Sequence, residues 1–138
     1  MKVNRIILFV LVLISFSCKK DSQSNIPYRN VYKELYPNTL DYIPVTGFIY
    51  VKDAGYRGLI VYHFSSDEFR IYERCCPYDP EKPNAMVTVN SDKITATDSV
   101  CKSSFILLDG SPYGSGPSHY SLLQYHYSYD GDKLIIYN

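Results

Sequence analysis

"CKSSFILLDGSPYGSGPSHYSLL", residues 101–123, decides how the rest of this chain is read. Ser104–Gly110 is a short apolar run stopped by Asp109-Gly110, a turn pair. Residues 110–118 then carry Gly110, Gly114 and Gly116 with Pro112 and Pro117. A glycine-rich loop that cradles phosphate leads from a strand into a helix N-terminus. Here "LLQYHYSY" (122–129) follows, which is strand-like, so 110–118 reads as a turn-rich excursion between strands. Beyond it Asp130-Gly131-Asp132 joins 122–129 to "KLIIYN" (133–138), the clearest hairpin signal in the chain.

The upstream segments repeat the pattern. "GFIYVK" (47–52) is a strand ended by Asp53-Ala54-Gly55, and "GLIVYHF" (58–64) is apolar enough to be a buried strand. "EFRIYER" (68–74) alternates, Phe69 and Ile71 facing one way and Arg70 and Tyr72 the other. "MVTVN" (86–90) and "KITAT" (93–97) flank Ser91-Asp92. Helical periodicity never lasts beyond about two turns; its best stretch is "RNVYKELY" (29–36), stopped by Pro37. Fifteen tyrosines and six phenylalanines favour pleated, half-buried surfaces. The expectation is an all-β fold, an antiparallel β-sandwich or small barrel, in one domain over 28–138. The formal net charge is zero, which implies no basic face and no nucleic-acid partner.

The N-terminus has a different character. Lys2 and Arg5 precede Ile6–Ile14, nine consecutive apolar residues. That is too short to span a bilayer and about right for a signal-peptide core. "SFSC" then ends at Cys18 and resembles the lipobox of bacterial lipoproteins, although Phe16 departs from its strictest form. The resemblance implies a signal peptide over 1–17, lipid on Cys18 and a polar tether over 18–27. Lys19-Lys20-Asp21 resembles the export tag of Bacteroides-type surface lipoproteins, with a single acidic residue. The expected location is the cell envelope, as an outer-membrane lipoprotein facing the periplasm or the cell surface. The membrane is then a partner through lipid on Cys18, and an envelope protein is a possible second partner. Removing Lys2 and Arg5 leaves 12 basic against 14 acidic residues, a mature charge of −2.

Outside the cytoplasm thiols can oxidise. Cys75, Cys76 and Cys101 remain after Cys18, an odd number, and one disulfide plus one thiol is the simplest arrangement. His63, His119 and His126 have no metal-ligand spacing, and His63, in an apolar strand, reads as a neutral structural ring. No serine-nucleophile elbow occurs, and carboxylate pairs such as Asp79/Glu81 and Asp130/Asp132 fall in turns. Tyr125, Tyr127 and Tyr129 share a strand face and read as cross-strand packing or, if exposed, as a platform for glycan rings.

The order strand, hairpin, "CCPYDP" (75–80), hairpin "VTVNSDKIT", then 101–138 resembles the Rieske domain over roughly residues 45–138. That family reads Cys-x-His in a first loop and Cys-x-x-His-Gly-Ser-x-Phe in a second. A glycine stands five residues after the phenylalanine, and a Gly-Pro, a leucine and a closing hairpin follow. Ser103, Phe105, Gly110, Gly116-Pro117, Leu122 and Asp130–Asp132 stand in that order. The resemblance implies a Rieske-like sandwich whose two loops form a cluster-binding tip. Its four inner positions map to Cys76, Tyr78, Asp98 and Cys101; a second register places Cys101 at the family cysteine and Ser104 at the histidine.

A Rieske cluster takes two cysteines on one iron and two histidines on the other. Neither register supplies a histidine, so the expectation is a degenerate site holding no cofactor. The alternative is a two-iron, two-sulfur cluster with atypical ligands. What the resemblance implies for the thiols is a Cys76–Cys101 disulfide bridging the two loops, with Cys75 as the other partner for Cys101 and three reduced thiols as the plain alternative. The expected function is a non-catalytic structural or interaction module, not an enzyme. The other readings are a redox protein using the atypical cluster or the Cys76–Cys101 pair, and a glycan-binding module.

Overall fold

A computed structural model describes residues 25–138. The expected signal segment 1–17, Cys18 and most of the expected tether lie outside the described residues. Ten strands form in chain order: β1 (Tyr32–Leu35), β2 (Phe48–Val51), β3 (Leu59–Ser65), β4 (Glu68–Glu73), β5 (Val87–Val89), β6 (Thr95–Asp98), β7 (Ser104–Ile106), β8 (Pro112–Tyr113), β9 (His126–Tyr129) and β10 (Leu134–Tyr137). All pairings are antiparallel, in three sheets ordered β1-β10-β9, β2-β3-β4 and β5-β6-β7-β8. The all-β antiparallel expectation holds.

The β3–β4 hairpin is the middle layer. Successive side chains of a strand point to opposite faces. Leu59 and Val61 of β3 with Phe69 and Ile71 of β4 enter one core, shared with Leu35, Tyr125, Leu134 and Ile136. Ile60, Tyr62 and Tyr72 enter a second core, shared with Val87, Ala96 and Phe105. Both faces of the hairpin are covered, which explains why residues 58–64 are apolar almost without a break.

Beyond the ladders, short stitches set the layers. Glu73 N donates to Leu123 O (2.8 Å) and Tyr125 N to Ile71 O (2.9 Å), so the chain entering β9 docks along β4. Val87 N donates to Arg74 O (2.8 Å), which carries the end of β4 onto β5 and throws residues 75–86 out as a loop.

Residues 29–36 correct the helical reading. Tyr32–Leu35 pair with Leu134–Tyr137, Tyr32 opposite Tyr137. Val31 and Leu35 are the buried positions. Their spacing of four satisfies a helical face and a strand face equally, and two turns are too short to stand alone as a helix. The free edge of β10 decides between them. The two-residue β8 lies inside the segment read as an excursion.

Candidate functional site

The site is built from three loops. The β6–β7 hairpin closes with Asp98 N donating to Ser103 O and Lys102 N to Asp98 O, both 2.9 Å. Lys102 holds φ at 65°, a left-handed conformation that costs a side-chain-bearing residue about 1 kcal/mol or more. That return brings Cys101 Sγ to 3.2 Å from Asp98 Oδ2 and 3.1 Å from Ser103 Oγ. The other Asp98 oxygen accepts from Val100 N at 2.8 Å.

The loop after β4 is fixed from beneath by Glu73. This carboxylate is fully buried. It accepts from Tyr56 N (2.7 Å), Arg57 N (2.8 Å), Cys75 N (3.0 Å) and the Tyr125 hydroxyl (2.9 Å). A Cβ on Gly55, whose φ is +77°, would stand 2.5 Å from Glu73 Oε2, so only glycine lets the β2–β3 turn come this close. Arg57, positioned by that turn, donates from Nη2 to Pro80 O and Lys82 O, both at 3.0 Å, and pins the loop that carries Cys76. Cys76 N donates to Ala85 O at 3.0 Å.

The third loop lies over the second. Ser118 N donates to Ser103 Oγ (3.0 Å), and a Cβ on Gly116 would stand 2.5 Å from Ser103 Cα and 2.8 Å from Lys102 O. Those neighbours are backbone and cannot swing aside. Gly116→Ala is expected to cost about 1–3 kcal/mol, the usual penalty of overpacking. The melting temperature falls by several degrees, and alkylation of Cys101 accelerates as Ser103 is displaced. An unchanged melt with unchanged Cys101 labelling would contradict this close contact.

Together the loops bring Cys76, Asp98 and Cys101 to one point, with their ligand atoms all within 4.8 Å of one another. Cys76 Sγ and Cys101 Sγ are 3.5 Å apart. Cys76 and Asp98 are fully buried, and Cys101 is half-buried. Tyr78, the remaining inner position, is 43% exposed at the surface of the same loop. Burial pushes the Cys76 thiol well above its ordinary pKa, and the nearby Asp98 carboxylate adds to the shift. Cys75 is a separate case: its thiol faces Pro80 O at 3.7 Å, and burial pushes its pKa up to about 11.

These residues do not supply the Rieske donor set of two cysteines and two histidines. Four donors are needed, two on each iron, and three converge here. In the first register Cys76 and Cys101 would serve different irons. Their sulfurs stand 3.5 Å apart, too close for ligands on two different irons.

No histidine enters the group. His63, on β3, is buried, with Nδ1 2.7 Å from Ile43 O and its ring stacked on Phe69. His119 is exposed, and His126 sits on the outer face of β9 beside Tyr137. Tyr125 is buried, and the half-buried Tyr127 and Tyr129 pack against Phe69 in T-shaped contacts, as cross-strand packing requires. Glu73 and Arg57 were not among the expected site residues. Glu73 does carry a signal, because it continues the inward phase of Phe69 and Ile71.

Comparison with solved structures bears on the fold. The fold is Rieske-like. A chain from the complex of reduced oxygenase and oxidized ferredoxin in carbazole 1,9a-dioxygenase superposes with a TM-score of 0.55 at 13% identity, over 79% of this chain and 94% of that one. A putative NADH-dependent nitrite reductase small subunit from Mycobacterium tuberculosis gives a TM-score of 0.47 at 12% identity, over 80% and 97%. By sequence, residues 30–106, more than half of the chain, match the family model described as Major royal jelly protein, and the chain belongs to that family. The matching family model is thus not that of the Rieske domain, and the Rieske likeness is one of fold. No curated protein matches the chain.

Proposed function

We propose that this protein is a non-catalytic structural or interaction module of the cell envelope, carried on lipid at Cys18, in which a Rieske-like scaffold serves without a two-iron cluster. The contact of Cys76 and Cys101 is the observation that carries this reading. In an oxidising compartment that pair closes a loop of 25 residues. Such a bond stabilises by roughly 3 kcal/mol in the chain-entropy model and joins the loop tips directly.

The test is composition and thiol mapping of the full chain purified in detergent. The expected result is no visible absorbance, no iron and no labile sulfide, with a Cys76–Cys101 cross-linked peptide in the unreduced digest. Cys75 remains free and labels slowly at neutral pH, because the thiolate is the nucleophile and burial keeps this thiol protonated until near pH 11. Two irons and two sulfides per chain would overturn the proposal. A second reading, an exchangeable redox disulfide, is favoured by one observation: Cys101 is half-buried beside a carboxylate, whereas Cys76 is closed off. A reduction potential near that of envelope thiol systems supports exchange, and a far lower one leaves a structural bond.

A further inference from the structure

Asp98 is a buried carboxylate with too few partners. It is fully buried, and among the described residues no Lys, Arg or His forms an ion pair with it. Glu73, equally buried, takes four hydrogen bonds from oxygen and nitrogen donors. Asp98 takes one from a nitrogen donor, Val100 N to Oδ1, and its other partners are thiols, Cys101 on Oδ2 and the neighbouring Cys76, which are weak donors. Buried charges are normally paired or bound to metal. The second observation is spacing. Tetrahedral zinc with Zn–S bonds of about 2.3 Å sets its ligand sulfurs about 3.8 Å apart. Here the two sulfurs are 3.5 Å apart, and Asp98 Oδ2 is 3.2 Å from one of them. Three donors from two loops already stand at the corners of a single-ion site.

We propose that the reduced protein binds one zinc ion through Cys76 Sγ, Cys101 Sγ and Asp98 Oδ2. The fourth position lies on the open side, where Cys101 is partly exposed, and is left to water. Binding releases two protons, one from each thiol, and the two thiolates and the carboxylate leave a net charge of −1 on the site. No electron is transferred. Oxidation to the Cys76–Cys101 disulfide removes both sulfur ligands, so zinc and the disulfide exclude one another. This inference rests on the reading that the tip holds no two-iron cluster, and it concerns the thiol state of that tip.

The experiment uses the full chain in detergent, reduced and then freed of reductant, titrated with zinc chloride and separately with cobalt chloride. The expected result is one equivalent of zinc retained through dialysis, and a cobalt form with thiolate-to-metal charge transfer and the intense visible bands of tetrahedral geometry. Two protons are released per ion into weak buffer. Cys75→Ser, outside the group, keeps the stoichiometry. Asp98→Asn weakens binding by at least the roughly 10- to 100-fold that loss of an outer-shell partner costs. Circular dichroism of each variant checks that it is folded, and the cobalt spectrum of the unaltered protein tests the site without any variant. If reduced protein with three countable thiols retains no zinc and gives no thiolate–cobalt band, the inference is wrong while the cluster-free reading stands. Iron and sulfide in the purified protein would bring down the cluster-free reading itself. Asp98→Asn binding as tightly as the unaltered chain would exclude the carboxylate as a ligand.

Discussion

Glu73→Ala leaves the domain unfolded or at the edge of unfolding. The substitution strands Tyr56 N, Arg57 N, Cys75 N and the Tyr125 hydroxyl, all of which donate to this carboxylate. A buried donor without an acceptor costs about 1–3 kcal/mol. The two fully buried bonds, from Cys75 N and the Tyr125 hydroxyl, alone come to about 2–6 kcal/mol and the part-buried Tyr56 N and Arg57 N add to it, against a total stability of about 5–15 kcal/mol for a domain of this kind. Burial and the adjacent Glu73 charge raise the Tyr125 pKa, so the phenol stays a donor throughout the neutral range. Glu73→Gln keeps the shape but turns an NH2 toward groups that themselves donate, and it recovers only part of the loss. Urea denaturation of the three proteins under reducing conditions reads the difference. An alanine variant within about 1 kcal/mol of the parent would mean that water or a rearranged turn satisfies all four donors. The damage also reaches the tip, because Arg57, which pins the Cys76 loop, is placed by the same carboxylate. Cys76 and Cys101 are expected to label faster in any fraction of Glu73→Gln that stays folded.

Phe69→Ala is the second large effect, and it acts elsewhere. Phe69 is fully buried on β4. His63 stacks on it with ring centres 4.4 Å apart, and Tyr129 and Tyr127 meet its ring edge-on at 5.0 and 6.0 Å. Truncation removes the ring that joins the β3–β4 layer to β9. The cost is about 3–5 kcal/mol, the range for a large aromatic cut to alanine in a core. Phe69→Leu keeps most of the volume and costs much less. Denaturation midpoints test this pair, and thiol labelling separates the two positions. Folded Phe69→Leu keeps the native protection of Cys76, since Phe69 belongs to the opposite core from Cys76. Equal costs for Phe69→Ala and Phe69→Leu would show that the ring is not what joins the layers.

The architecture was legible because turn residues and inward apolar phase coincide along most of the chain. Asp130-Gly131-Asp132 and the apolar run 58–64 both specify what forms there. Residues 29–36 were ambiguous because Val31 and Leu35 fit either period, and the partner that decides, β10, lies far along the sequence. The spacing of Ser103, Phe105 and Gly110 placed the second loop in register, and residues 76, 98 and 101 do meet in space. Tyr78 was assigned by matching Cys76-Pro77-Tyr78 to the first loop's Cys-Pro-His, yet nothing local forces a phenol inward, and it is exposed. Glu73 and Arg57 escaped notice because their roles are to satisfy backbone groups in other loops, and such pairings have no local pattern to read.

β1 has a consequence for how the molecule is made. Its neighbour across the ladder is separated from it by most of the sequence; Val31 N bonds to Asn138 Oδ1, 107 positions away. Synthesis runs from the N-terminus, so this strand waits without a mate while the intervening chain emerges, and closing so long a loop is slow. The outer sheet is therefore completed late, after the two inner layers have their own partners.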